Sequence, residues 1–560
     1  MGKLDEESTK MKAIKTVLFL LLLLIGKIAF AHVGSPGVVY EGKAGPYNII
    51  VNVNPPDVIP GTANVSVYIE NYAVKIVSVQ PVYWYAGDKG SPKADEGLPV
   101  KGTPGQYQAS VWLMQSGTAS MKITVDGTLG KGTVLIPVMA VSTAQRAMPK
   151  SLGWVLAGLG LLLVVLMATI IGASVSDGLL KPGTNNLPNI RRKKLTGASI
   201  AFLVLALMLY GGSSWWNSWS SNYAKYMYRP PLAKSSILNY DQQQVLHFQI
   251  DSNSLKAAKK SMSFIVPDHG KLMHLFMVRE NSLDVFAHLH PVRKDSLNYF
   301  ALLPDLPQGR YLVFADVVRW TGFNETIADT IVVPKKTWVK TASAKLYSAF
   351  FHDPDDTYVI SNSTNQNVDN FPGKTTLVCG IPGETMKLAD GSSAIWEHAA
   401  NTPFEAGKVY PLTFAIHDPS GAAVKLEPYM GMMGHAVVLK YDGSVYMHLH
   451  SVGTFSMASQ EILQNRMKGD EKIPATPDAN RFRDSIDREI TKIRKMDETE
   501  RNRYLMASMP AMDMPEGKHN KMDAMVTFPY AFPSAGKYRI WVQMKRNGQI
   551  LNSAFDATVK

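Results

Sequence analysis

Two kinds of hydrophobic spacing organise the chain. Tyr47, Ile49, Val51 and Val53 alternate with polar residues, and Val65, Val67 and Ile69 repeat the alternation after a Pro60-Gly61 turn. A period of two with Pro and Gly between the runs predicts short half-buried strands, and hence a small β-sandwich. Leu152 to Ala173 and Leu195 to Gly212 are instead unbroken apolar runs, long enough to cross a bilayer. The loop between them carries Lys181, Arg191, Arg192, Lys193 and Lys194, a cluster that prefers the cytoplasm. Trp154, Trp215, Trp216 and Trp219 stand near the opposite ends, where interfacial aromatics belong. The pattern predicts a transmembrane hairpin at 151–213, with 32–150 and 214–560 on the extracytoplasmic side.

The first residues fit that topology. Lys12 and Lys15 precede an apolar stretch from Val17 to Ile25, and Ala29-Phe30-Ala31 has the form of a cleavage site. Residues 1–31 are therefore expected to be a signal peptide, leaving His32 as the mature N-terminus.

The outer chain repeats. Pro104-Gly105-Gln106-Tyr107, Gln308-Gly309-Arg310-Tyr311 and Ala535-Gly536-Lys537-Tyr538 each introduce a strand near the end of a module. His274-Leu275-Phe276-Met277 resembles His435-Ala436-Val437-Val438, and Phe286-Ala287-His288-Leu289-His290 matches Tyr446-Met447-His448-Leu449-His450. The expected fold is mainly β: several Ig-like or cupredoxin-like sandwiches with a two-helix transmembrane hairpin and a signal peptide. One histidine module spans 214–335, a β-rich connector 336–401, and the second module 402–560. The second holds an insertion whose residues 477–505 read as a charged, mostly solvated helix, followed by a Met-rich loop.

Hairpin geometry supplies the candidate chemistry. Asp442-Gly443 is a two-residue type I′ turn signal; counted outward it pairs Val437 with His448 and His435 with His450. Opposed residues share a face of the sheet, and His448 and His450 are two apart, so three imidazoles gather at the end remote from the turn. A three-residue loop at Asn281 to Leu283 does the same for His274, His288 and His290, with His269 able to approach from the preceding loop. The register decides everything, because a slip of one residue turns a strand's ligands away.

Gathered neutral imidazoles suit copper or zinc, and thioether sulfur tips the choice towards Cu(I). Met430, Met432 and Met433 border the second cluster, and Met512 and Met514 lie in the Met-rich loop. Copper, as Cu(I) or Cu(II), is the expected cofactor. His32 is a further candidate, since a terminal histidine offers amine and ring together. Residues 33–150 hold no second histidine, so closing such a site needs another module. His247, His352, His398 and His417 stand alone and are expected to make ordinary hydrogen bonds.

Composition narrows the classes. At 560 residues the chain needs several cores, and 46% apolar with 19% charged residues describes a folded protein. The net charge of +12 is dispersed, without a long basic run interleaved with aromatics, so nucleic acid is not an expected partner. A single cysteine, Cys379, excludes an internal disulfide, a Cys-rich zinc site and c-type haem attachment. It lies outside both hairpins, so a blue-copper centre lacks its thiolate. With no supported triad or phosphate loop, no enzymatic activity is expected.

Ala44-Gly45-Pro46-Tyr47, the Pro60-Gly61 turn and the Pro-Gly-x-Tyr strand resemble the YtkA-like and FixH-like periplasmic β-sandwich domains. The segments Asp268-His269-Gly270 through His290-Pro291, and Glu427-Pro428-Tyr429-Met430 through His450, look like modules that recur in bacterial exported proteins. The second copy departs from the first in having Ser451 for Pro291 and a long insertion. The resemblance implies copper handling or cytochrome-oxidase maturation. The expectation is a protein anchored in the inner membrane that captures, tolerates or delivers copper, with copper-trafficking or oxidase-assembly proteins as partners. The alternative is an envelope scaffold whose histidines are structural.

Overall fold

The computed structural model describes residues 32–33, 37–70, 73–146, 148–178, 180, 183, 189–240, 243–335, 352–362, 376–400, 402–468, 474–508 and 524–560. The expected signal peptide and the Met512 and Met514 candidates lie outside the described residues. Among the described residues the chain is mainly β, in three sandwiches and a pair of long helices.

After a two-residue strand β1 (His32–Val33), the first sandwich consists of β2 (Val38–Ala44), β3 (Tyr47–Asn54), β4 (Gly61–Ile69), β5 (Val74–Tyr83), β6 (Asp95–Pro99), β7 (Gln106–Leu113), β8 (Gly117–Gly127) and β9 (Gly130–Ala140). Its strands run in the order β2-β3-β4-β7-β6-β5-β8-β9. The alternating positions of the sequence form its core, with Tyr47, Val51, Val65, Val67, Val111 and Ile123 all buried.

Helices α1 (Lys150–Asp177) and α2 (Ile190–Tyr226) follow, both long and apolar enough to cross a membrane. Their exposed apolar surface includes Trp154, Leu163, Leu207 and Trp216. Small residues set their approach: a Cβ at Gly172 would stand 3.0 Å from the Lys194 carbonyl, and one at Gly197 3.3 Å from the Val175 side chain.

The second sandwich pairs two sheets. One holds β10 (Ala233–Tyr240), β11 (Gln243–Ile250), β15 (Val292–Arg293) and β16 (Asn298–Leu303). The other holds β12 (Ile265–Val266), β13 (His274–Arg279), β14 (Val285–Leu289), β17 (Gly309–Arg319), β18 (Asn324–Val333), β19 (Thr357–Asn362) and β20 (Thr376–Val378). The third sandwich packs β21 (Thr385–Lys387), β22 (Ser393–Trp396), β23 (Val409–His417) and β26 (Met525–Ala531) against a sheet ordered β1-β25-β24-β27-β28. Those last strands are β24 (His435–Lys440), β25 (Val445–His450), β27 (Gly536–Arg546) and β28 (Gln549–Val559). The stretch read as a connector therefore divides: β19 and β20 extend the second sandwich, β21 and β22 build the third.

Strands β13, β14, β24 and β25 are buried on both faces, which explains their nearly unbroken apolar sequences. Leu275, Met277, Val285, Ala287 and Leu289 fill the core of the second sandwich. Ala436, Val438, Val445 and Leu449 fill that of the third. The opposite faces meet each other. Phe276, Val278, Phe286 and Phe314 pack there with Val437, Leu439, Tyr446 and Trp541, so the two histidine sheets lie face to face over a shared core.

A short helix α3 (Ser252–Ala257) follows β11, and among the described residues the insertion forms three more: α4 (Met457–Lys468), α5 (Ala479–Lys495) and α6 (Glu498–Ser508). Asp478 caps α5, accepting from the Arg481 amide at 2.9 Å. Its charged face is exposed as expected, but a helical stripe is not. Ile486 and Ile490 pack on the core of the second sandwich, Ile493 is buried, and Phe482 meets Phe264 at 5.9 Å. The insertion thus leaves the third sandwich to cover the second.

Candidate metal centre

Both hairpins keep the register read from the sequence. His435 pairs with His450 and Val437 with His448; Phe276 pairs with His288 and Leu275 with Leu289, which sets His274 opposite His290. The turns differ in detail. The Gly443 amide donates to the Lys440 carbonyl at 2.8 Å and, of Asp442 and Gly443, only Gly443 has positive φ, so the loop is longer than a two-residue type I′ turn. The pairing sum is unchanged, and the imidazoles share a face.

That face is the one between the sandwiches. Among the described residues seven histidines meet there: His269, His274, His288, His290, His435, His448 and His450, none more than 6% exposed. The hairpins approach each other through His274 and His448, whose ring centroids lie 5.3 Å apart. The two clusters are neighbours.

His269 does not join the histidines of its own sandwich, as the sequence reading expected. It lies with His435 and His450, at ring-centroid distances of 5.0 and 4.9 Å, and stands 6.1 Å from His274. The turn explains this. Asp268 and Lys271 exchange backbone hydrogen bonds of 2.8 and 2.9 Å, and φ is +51° at His269 and +76° at Gly270. His269 is therefore carried at the tip of a tight turn, towards the opposing sandwich. The third sandwich repeats the device: Tyr429 and Met432 exchange backbone bonds around Met430 at φ +51° and Gly431 at +80°.

Hydrogen-bond partners fix most of the ring protons. His274 Nε2 lies 3.2 Å from the Asp268 carbonyl, which can only accept, so His274 Nδ1 is left with a lone pair. His288 Nδ1 lies 2.8 Å from Gln543 Oε1 and His290 Nδ1 2.9 Å from Asp356 Oδ1, leaving Nε2 bare on both rings. His274 Nδ1 and His288 Nε2 then face each other at 3.1 Å with no proton between them. His290 Nε2 is buried without a partner. One nitrogen each of His274, His288 and His290 lies within 4.8 Å of the other two, an arrangement that could hold a metal ion.

The second cluster is built alike. His435 Nε2 lies 3.3 Å from the Tyr429 carbonyl and His450 Nδ1 2.8 Å from the Phe455 carbonyl. His435 Nδ1 is 3.3 Å from His448 Nε2, while His450 Nε2 and both nitrogens of His269 are buried without hydrogen-bond partners. One nitrogen each of His269, His435 and His450 lies within 4.8 Å of the other two.

Burial is the largest cause that holds His269, His274, His288, His435 and His448 well below the usual imidazole range, and neighbouring histidines lower them further. Such rings are neutral near pH 7, the state that binds metal. Carboxylates stand behind them. Asp353 and Asp356 flank His290, and Asp316 Oδ2 lies 3.6 Å from His448 Nδ1 while accepting from Tyr446 at 2.8 Å. Burial pushes the Asp316 carboxyl up to about 6. Lys271 bridges Asp353 and Asp355, whose carboxyls it holds down against the opposing effect of burial.

A pocket of about 210 Å³ opens beside His269, lined also by Asp268, Glu461, Glu489, Tyr504 and Leu505. Helices α4 to α6 provide most of its wall. The sites are thus covered, not exposed at strand ends.

Other candidates fall elsewhere. Met430 and Met432 are buried at the second turn, whereas Met433 packs on the core of the third sandwich. Strand β1 places His32 opposite Val445, on the strand that carries His448 and His450; the His32 side chain is outside what the structure describes. His247 stacks on Phe300 and bonds Asn298, and His398 stacks on Phe404, as structural histidines do. Cys379 is buried in the shared core between the sandwiches. Sequence reading missed Asp353, Asp356, Asp316 and Gln543. The acidic run Asp353-Pro354-Asp355-Asp356 was the available signal for the first two.

A family described as a domain of unknown function, DUF8832, matches residues 388–470. No curated protein matches the chain. Among solved structures, a tetra-tandem repeat from the extending region of a large adhesion protein is 8% identical, with 90% of this chain and 71% of that one covered at a TM-score of 0.14. Dimeric latent PorU from Porphyromonas gingivalis is 8% identical, covering 94% and 34% at 0.13. A putative membrane anchored protein from Corynebacterium diphtheriae is 9% identical, covering 93% and 95% at 0.13.

Proposed function

We propose that this chain is a membrane-anchored, extracytoplasmic copper-binding protein that captures and retains copper between its second and third sandwiches. The observation that carries this reading is the convergence of the buried His274, His288 and His290 imidazoles, with one nitrogen of each within 4.8 Å of the other two and His290 Nε2 without a hydrogen-bond partner. A hydrogen-bonded core would pair each bare nitrogen with a donor, because an unsatisfied buried acceptor costs about 1–3 kcal/mol. Buried Met430 at the second turn favours copper over zinc.

The two apolar helices, the basic residues at the start of α2 and the exposed tryptophans support an inner-membrane anchor with the sandwiches outside. Burial of the rings supports retention, with slow release to a trafficking or oxidase-assembly partner, over rapid exchange at a surface. Copper content of the full chain purified from its membrane, followed by titration with Cu(I), Cu(II) and Zn(II), tests the proposal. Binding weaker than micromolar for every ion would sink it.

A further inference from the structure

We propose that the interface between the second and third sandwiches holds two metal ions side by side, one in each triad, and that the triads are chemically unlike. This rests on the copper-binding reading and deepens it. The first triad is His274, His288 and His290; the second is His269, His435 and His450. They share no residue, and each has its own set of proton-accepting groups behind it: Asp268 carbonyl, Gln543 and Asp356 for the first, Tyr429 and Phe455 carbonyls for the second.

A single shared ion does not account for this. One nitrogen of each ring of the first triad lies within 4.8 Å of the other two, and the same holds separately for His269, His435 and His450, with His269 Nε2 also 3.7 Å from an Asp268 carboxylate oxygen. Charge agrees. Among the described residues Asp268, Asp316, Asp353, Asp355 and Asp356 stand around the cluster, with Glu461 and Glu489 beside His269, and they outnumber the cations Lys271, Arg494 and Arg501 that pair with them. The surplus of negative charge in a buried place suits more than one positive ion.

The inequality follows from the groups behind the rings. The first site has carboxylates at His290, Asp356 Oδ1 at 2.9 Å and Asp353 Oδ1 at 3.9 Å from its Nδ1. The second has backbone carbonyls behind His435 and His450 and a fourth histidine neighbour in His448. Carboxylate charge behind the ligands of one site raises their basicity and makes that site the tighter one for Cu(II).

The test uses the detergent-solubilised full chain loaded with Cu(II) and read by electron paramagnetic resonance and metal analysis. Two ions per chain with a half-field signal from spin coupling are expected. In the variant His290→Gln, and separately in His450→Gln, the count should fall to one and the half-field signal should vanish. One ion in the wild-type chain, or two without coupling, overturns the paired centre while leaving copper binding in place. No ion at all overturns the functional reading itself. The wild-type measurement needs no variant to fold. Asp356→Asn should weaken Cu(II) at one site at least tenfold and leave the other unchanged; equal weakening, or none, overturns the inequality.

Discussion

His269 and Met430 occupy the same place in two copies of one turn, both at φ +51° before a left-handed glycine, yet one brings an imidazole and the other a thioether. Both are buried, so neither serves as a surface loop. The repeat has kept the backbone and changed the donor, and the consequences can be measured.

Removing the group behind a ligand tests the centre without touching a ligand. Gln543 Oε1 accepts from His288 Nδ1 and so holds its Nε2 bare. Gln543→Leu is expected to lower metal affinity by about 10–100-fold. Unchanged affinity in a competition titration would remove Gln543 from the account.

Bound metal should stabilise the fold. With free ion at about a hundred times the dissociation constant, linkage contributes about 2.7 kcal/mol. Thermal unfolding of the solubilised chain should therefore move upward with copper and return with a chelator. A melting temperature indifferent to both counts against a site in the folded state.

The apolar half of the same interface should matter for the fold. Phe276 is fully buried, stacks on His288 at 4.2 Å and meets Tyr446 at 5.9 Å. Phe276→Ala is expected to cost about 3–5 kcal/mol and to weaken metal binding, because the histidine sheets lose their common packing. Denaturant unfolding reads the first effect and metal titration the second.

Asp284 gives a pH signature away from the histidines. Hydrogen bonds from Arg279 and Ser282 hold its carboxyl below the usual range against the opposing effect of burial, and Arg279 Nε donates at 2.8 Å. A carboxyl lowered in the folded state stabilises it above the unfolded pKa of about 4, and the gain is lost as pH falls through the folded value. Asp284→Asn should cost about 1–3 kcal/mol at pH 7 and progressively less below pH 4. A cost independent of pH would assign the effect to packing.

Cys379 should be inert. Burial is the main cause that pushes its thiol up to about 12, so almost no thiolate forms at pH 8. Iodoacetamide is expected to label the denatured chain and spare the native one; prompt native labelling would contradict its place in the core.

The sequence made the hairpin registers legible because turn length fixes pairing. Asn281 to Leu283 and Asp442-Gly443 sufficed for that, even though the second turn adopts a different form. Periodicity tells which side chains share a face and leaves open what covers it. The meeting of the two hairpins was therefore hidden, although the unbroken apolar run from Leu275 to Val278 was a hint of burial on both sides. His269 was misplaced for the same reason: its direction comes from two successive positive φ angles. Asp353 and Asp356 come from a strand order that brings β19 beside β14, which no local pattern announces.

Phe455 belongs to two places at once. Its carbonyl accepts from His450 Nδ1 at 2.8 Å, while its ring sits in the core of the first sandwich beside Tyr40. Strand β9 ends at Ala140 and α1 begins at Lys150, so the sandwich that takes the Phe455 ring is also the one next to the helical pair along the chain. That sandwich cannot be displaced unless Phe455 parts company with either Tyr40 or His450.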